Sequence, residues 1–347
     1  MPERIAPQMH IENVEEKKTI LNKSWRNKEK TIEVDGEKYN LEDCYDHEIE
    51  RRQKAFETAS RIAEQIPPGK YILFVDSVDK NQGTTAHPEF PLIDEDRRKK
   101  MFQAETGSDD LNQDFQPENM RYRLGFKKGD NRFQVFKSFD DEVPTDLKNC
   151  VAVVYSGSAI NVFEETNERN LITREKVLKI INEADKSVLP QLGICFGGQV
   201  LAYSHGAEIE KITDQNGNPI RVVGVTGIRK TEAAIENPFV KEIRKTVSSP
   251  QNHGQQINPK SLEKTTAEIL AVSVDNQAPE IVFFPPYTYC SQSHIEGGSA
   301  RNDVVGSLTR KETDPEENFF KNNCAEAGEI IFPKFLETTV KFAKSKE

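Results

Sequence analysis

Short apolar runs alternate with amphipathic segments in the middle of the chain. Residues 71–75 form a compact apolar run, which is typical of a buried parallel strand. Similar runs predict strands at 133–136, 150–155 and 192–195. Between the last two, residues 169–184 carry apolar side chains at helical intervals. This alternation of strand and helix predicts a parallel sheet covered on both faces, with ligands at the carboxyl ends of the strands.

The pattern changes later in the chain, where strand-like runs follow one another without long helices between them. These runs lie at 222–229, 269–274, 281–284 and 288–291. Consecutive strands without crossover helices favour antiparallel pairing. The predicted fold class is therefore α/β, with a flavodoxin-like, open, mostly parallel sheet flanked by helices and a smaller antiparallel extension.

An N-terminal α/β accessory segment, residues 1–69, is predicted to precede a main domain of residues 70–347. The segment begins with charged residues and continues into a short hairpin around Asp35-Gly36. Apolar residues at helical intervals then predict a helix over 42–66, which a Pro-Pro-Gly sequence ends. We expect this segment to pack as a cap on the main domain, and a solvated interaction arm is the alternative.

Two long polar stretches interrupt the main domain, at residues 80–131 and 297–327. Loops of this length in a compact domain are usually functional or disordered. Both stretches are therefore candidates for lids or docking surfaces.

A cysteine framed by two glycines is the strongest chemical signal in the chain. Gly193-Ile-Cys-Phe-Gly197 places Cys195 on a tight strand-to-helix turn, where larger side chains at 193 and 197 would collide with their neighbours. The following residues, 199–205, predict a helix, and the dipole at its N-terminus favours the thiolate form of Cys195. We therefore predict that Cys195 is a nucleophile. The other cysteines are predicted to be small buried residues: Cys44, Cys150, Cys290 and Cys324.

A nucleophilic thiol needs a base, and His294 is the best placed of the six histidines. The surrounding residues predict an extended chain, in which residues two apart share a face. Glu296 would then orient His294 through one ring nitrogen while the other faces Cys195, which gives a Cys195, His294, Glu296 triad. The tripeptide His87-Pro88-Glu89 is a decoy, because it precedes the nucleophile in a polar stretch.

These motifs resemble those of the class I (triad-type) glutamine amidotransferases, in particular the glutaminase domain of GMP synthase, over roughly residues 70–345. The family's nucleophile motif is GxCxGxQ and its base motif is HPE. This chain has Ile295 in the position of the proline. Gly198 stands where many members carry a larger residue, and the catalytic groups are not expected to depend on it.

The resemblance implies site residues beyond the triad. A strand followed by a Ser-Gly-Ser turn is similar to the family's oxyanion segment, so the amides of Gly157, Ser158 and Phe196 are expected to hold the oxyanion. Gln199, in the nucleophile motif, is expected to position the elbow or the substrate, and a surface position is its alternative. His253 is expected either to line the substrate pocket or to cap a loop.

The reaction implied by the resemblance is hydrolysis of the side-chain amide of L-glutamine through a γ-glutamyl thioester on Cys195. The ammonia would pass to a separate synthase partner, because the sequence contains no GxxxxGK[ST] phosphate loop for acceptor chemistry. Two alternatives remain. One is a stand-alone γ-glutamyl hydrolase acting on γ-glutamyl amines or peptides, and the other is a non-catalytic binding or regulatory module.

Composition limits which binding partners and which cellular compartment are expected. The net charge of -10 argues against nucleic acid as a partner. No apolar run approaches the roughly 20 residues of a membrane helix, so no membrane partner is expected. Five cysteines without paired spacing fit a reducing cytoplasm. Because the sequence has no CxxC pair and no clustered His, Asp and Glu ligands, we expect no metal and no cofactor.

Overall fold

A mixed β-sheet forms the centre of the fold in this computed structural model. The structure describes residues 32–346 apart from 35–36, 80–92, 145, 164, 244–245, 275 and 298–324. The strands are β1 Ile32–Val34, β2 Glu37–Tyr39, β3 Tyr71–Asp76, β4 Phe133–Lys137, β5 Cys150–Tyr155, β6 Gln191–Ile194, β7 Ile209–Lys211, β8 Val222–Lys230, β9 Thr246–His253, β10 Gln255–Ile257, β11 Glu268–Ser273, β12 Pro279–Phe284 and β13 Thr288–Ser291. The helices are α1 Leu41–Ala63, α2 Glu95–Thr106, α3 Phe115–Arg123, α4 Glu168–Lys186, α5 Phe196–Ser204, α6 Pro259–Leu262 and α7 Ala325–Ser345.

Nine strands of the described residues share one sheet, in the order β4-β3-β5-β6-β13-β12-β11-β8-β9. The first five of these run parallel to one another. The other four continue the same sheet as antiparallel strands. The predicted α/β fold, a mostly parallel sheet with an antiparallel extension, is confirmed. β6 and β13, which lead to Cys195 and His294, are neighbours in the sheet.

Both faces of the four inner parallel strands, β3, β5, β6 and β13, are buried, which explains their largely apolar sequences. In β3, Leu73 and Val75 belong to the core cluster that contains Val177 and Ile181 of α4. The alternate residues of β3 belong to a second cluster on the opposite face, where α1, α3 and α7 pack. Helices therefore cover the sheet on both sides.

The helix α1 begins where the sequence predicted it and ends slightly earlier. Asn40 caps its N-terminus by accepting a hydrogen bond from the Asp43 amide at 3.0 Å. Ala59 and Ala63 of α1 lie in the same core cluster as Phe332 of α7. This shared core places α1 against the main domain, while the boundary at residue 69 stays a prediction. No helix in the described ranges combines the length and the apolarity needed to cross a membrane.

Residues 93–131, in the first polar stretch, contain two helices that the hydrophobic pattern did not predict. The helices α2 and α3 bury charged side chains on the faces that contact the rest of the protein, among them Arg97, Glu105 and Arg123. Because these buried faces are charged as well as apolar, neither helix shows the apolar stripe by which a surface helix is recognised.

Some sequence predictions fall outside the described residues. These are the charged start of the accessory segment, the Asp35-Gly36 turn, the His87-Pro88-Glu89 decoy, the position of Cys324 and most of the stretch 297–327. The side chain of Cys44 is also not among those that the structure describes.

Gly125, just after α3, allows the chain to pass close to α1. Its φ is +72°, and a Cβ at this position would lie 2.2 Å from the backbone nitrogen of Ser60. Gly129 has a similar φ of +79°, but a Cβ there would have no neighbour within 4 Å. A side chain at position 129 would therefore introduce backbone strain alone, whereas one at position 125 would introduce the same strain and a collision with α1.

We predict that Gly129→Ala lowers the free energy of unfolding by about 1–2 kcal/mol, the strain of a left-handed residue with a side chain. Gly125→Ala should lower it by about 1–3 kcal/mol more, because α1 must also move. Urea unfolding followed by circular dichroism measures both values. Equal losses in the two variants would contradict the close packing of α1 on Gly125.

Candidate active site

Cys195 lies between β6, which ends at Ile194, and α5, which begins at Phe196. Its φ of 51° and ψ of -112° are unusual for a residue that carries a side chain. The Cys195 amide donates a hydrogen bond to the Ser291 carbonyl of β13 at 2.7 Å. Cys195 is therefore held in a strained strand-to-helix turn, which is the geometry of a nucleophile elbow.

Three glycines allow the close packing around this turn. A Cβ at Gly193 would lie 2.5 Å from the backbone of Gly197, and one at Gly197 would lie 2.6 Å from Tyr155. No sequence pattern explained the glycine at position 198. The structure does, since a Cβ on Gly198 would lie 2.7 Å from the Ser291 carbonyl. A larger residue at 198 would push α5 away from β13.

His294 follows β13 and is held by its backbone as well as by its ring. Its amide donates to the Pro250 carbonyl on β9 at 2.9 Å. Its Nδ1 donates to Oε1 of Glu296 at 2.7 Å, and the imidazole also hydrogen-bonds Cys195. His294 is 6% exposed and Glu296 is 2% exposed. The structure thus brings together the three residues predicted to form a triad.

The route by which His294 reaches Glu296 differs from the expectation. The sequence suggested a strand in which residues two apart share a face, but β13 ends at Ser291 and residues 295–296 form a turn. The Gly297 amide closes this turn by donating to the His294 carbonyl at 3.0 Å. The strand ends early because the Ser291 hydroxyl donates to the Ser293 carbonyl at 2.9 Å, which favours a local bend.

Burial and charge act in opposite directions on His294. Burial lowers the pKa of the imidazole, whereas Glu296 and the hydrogen-bonded Cys195 raise it, and the outcome is a pKa of about 9. His294 is therefore an imidazolium at neutral pH. A cation beside a thiol favours the thiolate, so the pair can provide a nucleophile and, from His294, a proton.

The turn after β5 borders this pair. A Cβ at Gly157 would lie 2.9 Å from Cε1 of the imidazole and 3.5 Å from Cβ of the cysteine. The hydroxyl of Ser158 donates to the Ser77 carbonyl at 2.6 Å, which fixes the turn to the end of β3. Phe196 is the first residue of α5, so its amide has no acceptor within the helix. Gly157 and Phe196 border the elbow, and Ser158 follows Gly157 in the same turn. The oxyanion role of the three amides stays a prediction.

Gln199 is buried rather than on the helix surface. Its Nε2 donates to the Gln255 carbonyl at 2.8 Å and to Oε1 of Gln292 at 3.3 Å. These bonds attach α5 to β10 and to the chain that leads to His294. They give Gln199 the geometry of a residue that positions the elbow, and a direct contact with substrate stays a prediction.

His253 is buried at the end of β9, with both ring nitrogens near protein acceptors. Its Nδ1 donates to the Gln255 carbonyl at 2.9 Å, and its Nε2 lies 2.8 Å from Oε1 of Gln251. Burial lowers the pKa of His253 to about 4, although the Gln255 carbonyl acts in the opposite direction. His253 is therefore neutral at pH 7, and its predicted place in a substrate pocket stays a prediction.

Two residues that were not predicted from the sequence, Gln255 and Arg123, also contact the site. The side chain of Gln255 accepts hydrogen bonds from the amides of Val162 and Phe163 at 2.9 Å and 3.2 Å, which ties β10 to the chain that follows Gly157 and Ser158. Arg123 donates to the Glu296 carbonyl, a residue 173 positions away. The polar residues around His253 gave only a weak indication that Gln255 has a role in the site. No local sequence pattern indicated a role for Arg123.

The other described thiols have different surroundings. Burial raises the pKa of Cys150 to about 12 and also raises the pKa of Cys290. Both are free thiols, as is Cys195. Within the described ranges, no group of three or more His, Cys, Asp or Glu side chains is arranged to hold a metal ion.

Iodoacetamide should alkylate Cys195 faster than Cys150, although the two are similarly buried at 3% and 4% exposure. The reason is the His294 imidazolium, so His294→Ala should slow alkylation of Cys195 by about 10-fold or more near pH 7. Peptide mapping by mass spectrometry gives the rate at each cysteine. His205→Ala, at the end of the same helix, is the matched control, and an equal rate in both variants would contradict an effect of His294 on the reactivity of Cys195.

Known proteins resemble this chain in sequence. The family model for glutamine amidotransferase class-I matches residues 126–305, which include the elbow, the turn after β5 and the pair formed by His294 and Glu296. A curated relative, the carbamoyl phosphate synthase small chain of Pyrococcus furiosus, is 28% identical over 170 residues. The match covers 47% of this chain and 41% of the relative, so the chain spans less than half the length of the curated protein it matches.

A solved structure from Thermotoga maritima shares the fold. A glutamine amidotransferase from Thermotoga maritima has a TM-score of 0.52 at 17% identity, over 79% of this chain and 100% of that chain, which shows the fold alone. A GMP synthase-like protein from Thermoplasma acidophilum has a TM-score of 0.47 at 20% identity, over 80% of this chain and 98% of that chain. Because the family model covers more than half of the 347 residues, the chain belongs to the class-I glutamine amidotransferase family.

Proposed function

We propose that this chain hydrolyses the side-chain amide of L-glutamine to glutamate and ammonia through a γ-glutamyl thioester on Cys195. The observation that carries the proposal is the hydrogen-bonded set of Cys195, His294 and Glu296 at the carboxyl ends of two adjacent parallel strands. Membership of the class-I family supports glutamine as the substrate.

In the first half of the reaction, the Cys195 thiolate attacks the amide carbon and a carbon–sulfur bond forms. The carbonyl electron pair moves to oxygen, where the amides near Gly157 and Phe196 would stabilise the negative charge. The tetrahedral intermediate collapses as the carbon–nitrogen bond breaks. His294 donates its proton to the departing nitrogen, which leaves as ammonia.

In the second half, neutral His294 accepts a proton from water as the water oxygen attacks the thioester carbon. The carbon–sulfur bond then breaks, which releases glutamate and restores the thiolate and imidazolium. Glu296 keeps the ring oriented through Nδ1 in both halves. The overall reaction consumes one water and yields glutamate and ammonia.

We infer that the ammonia is delivered to a separate synthase partner. The curated relative is the small chain of a carbamoyl phosphate synthase, which supports a partner of the synthase type. The free thiols of the described residues fit a reducing compartment such as the cytoplasm.

The purified chain should release glutamate from L-glutamine, and Cys195→Ala should reduce the rate by about 1000-fold or more because the nucleophile is lost. Cys150→Ala, which removes a buried thiol outside the site, should retain the activity. A coupled glutamate dehydrogenase assay measures the release. A preference for a γ-glutamyl amine or peptide over glutamine would instead identify a stand-alone γ-glutamyl hydrolase.

The rate of glutamine hydrolysis should fall at alkaline pH, because the leaving nitrogen needs the proton that His294 loses as the pH rises through about 9. Glu296→Gln removes the charge that raises this pKa and leaves the burial that lowers it. The alkaline limb of kcat/KM should therefore move to lower pH by roughly one unit or more.

The control for this pH profile is Glu118→Gln, which removes a carboxylate that pairs with Arg121 on α3. Its alkaline limb should coincide with that of the unsubstituted protein. An unshifted limb in Glu296→Gln would show that Glu296 does not set the protonation of His294.

A further inference from the structure

The carbonyl of Glu296 is held by side chains from outside the matched family region. Arg123, at the end of α3, donates to this carbonyl from Nε at 3.0 Å and from Nη2 at 2.8 Å. Asn119, one turn earlier, approaches the same oxygen at 3.4 Å. Two N–H groups of one buried guanidinium therefore converge on a backbone oxygen beside the catalytic pair.

Arg123 belongs to a buried set of charges that joins three helices. We call Glu48, Arg52, Glu105 and Arg123 the accessory charge cluster. Arg52 of α1 pairs with Glu105 of α2 at 2.8 Å and with Glu48 at 2.9 Å. Glu105 lies 3.8 Å from Nη2 of Arg123. Each member is at most 6% exposed, and two cations offset two anions.

A buried guanidinium is costly unless it is well paired. Burial and the like charge of Arg52 lower the pKa of Arg123 to about 10, and Glu105 acts in the opposite direction. At 2.8 Å, the Glu296 carbonyl is a much closer acceptor for Arg123 than Glu105 is at 3.8 Å. Within the cluster, the guanidinium of Arg123 is therefore oriented towards the backbone carbonyl of Glu296.

This backbone needs such a restraint. Glu296 lies in a turn beyond the end of β13, where ladder hydrogen bonds no longer hold the chain. Its neighbour is Ile295, in the position where the resemblance expects a proline with a fixed φ. Any displacement of the turn would move the carboxylate that accepts from His294 at 2.7 Å. The same turn packs against α7, since a Cβ at Gly328 would lie 2.1 Å from the Ile295 carbonyl.

We propose that Arg123 is a positioning residue: by binding the Glu296 carbonyl it keeps the carboxylate against His294, and the accessory charge cluster thereby makes α1, α2 and α3 part of the support of the active site. The activity measurement below rests on the proposed glutamine hydrolysis. The titration of His294 needs no substrate, so it tests the proposal independently.

The test variant is Arg123→Met, which keeps the apolar stem and removes the N–H groups. NMR of protein with 13C-labelled histidine should show the His294 midpoint lower by about one unit or more, because Glu296 no longer faces the imidazole. For glutamine hydrolysis, kcat should fall about 10- to 100-fold while KM changes by less than about threefold.

Arg121→Met is the matched control on the same helix. Arg121 also donates to a backbone carbonyl, that of Phe126, and pairs with Glu118 at 2.8 Å, but neither partner belongs to the triad. Its removal should leave the His294 midpoint and kcat unchanged. Arg123→Lys keeps the charge without the planar fork, so it should give intermediate values.

Arg123→Met with a native circular dichroism spectrum and an unchanged His294 midpoint would overturn the proposal. If that variant does not fold, Arg123→Lys decides the question. A lowered midpoint in Arg123→Lys would support the proposal, and an unchanged midpoint and kcat would show a purely structural residue. If the unsubstituted protein does not hydrolyse glutamine, the proposed function fails, and the His294 midpoint still decides the role of Arg123.

Discussion

The hydrogen bond from the Cys195 amide to the Ser291 carbonyl joins Cys195 to the strand that leads to His294. It forms where β6 and β13 run side by side in the sheet. Gly198 packs against the same carbonyl, so the elbow is confined from two directions and its strained backbone can persist. The chain after Ser291 then bends, and His294 lies beside the thiol. The geometry of the site thus follows from the pairing of two parallel strands.

Two buried histidines show how local charge sets the chemistry of this site. The pKa of His253 is lowered to about 4, whereas that of His294 is raised to about 9. Burial lowers the pKa in both cases. The hydrogen-bond partners of His253 are amide oxygens, and the nearby charges of His294 and Arg221 lower its pKa further, whereas His294 faces a carboxylate and a thiol. The fold therefore keeps one imidazole neutral and the other charged through its choice of neighbours. Arg123 of the accessory charge cluster binds the backbone carbonyl of Glu296, the residue whose carboxylate raises the pKa of His294.

The parts of the fold that could be predicted from the sequence have a simple physical signature. The strands β3, β5 and β13 are buried on both faces over most of their length and are therefore mostly apolar or small. The elbow requires glycine where backbones meet. The helices α2 and α3 could not be predicted in this way, because charges such as Glu105 and Arg123 face the interior and resemble those of a solvated segment. The contact between His294 and Glu296 was predicted through a strand and occurs through a turn. Gln255 and Arg123 act on partners far along the chain, which local patterns do not record.

The core shared by the N-terminal and C-terminal helices has an evolutionary consequence. The helix α1 contributes Ala59 and Ala63 to the same cluster as Phe332 and Phe335 of α7. Exchange of α1 for a helix with a different apolar face would leave apolar surface exposed on both the sheet and α7. Accepted substitutions in α1 therefore restrict those that α7 and the sheet can accept.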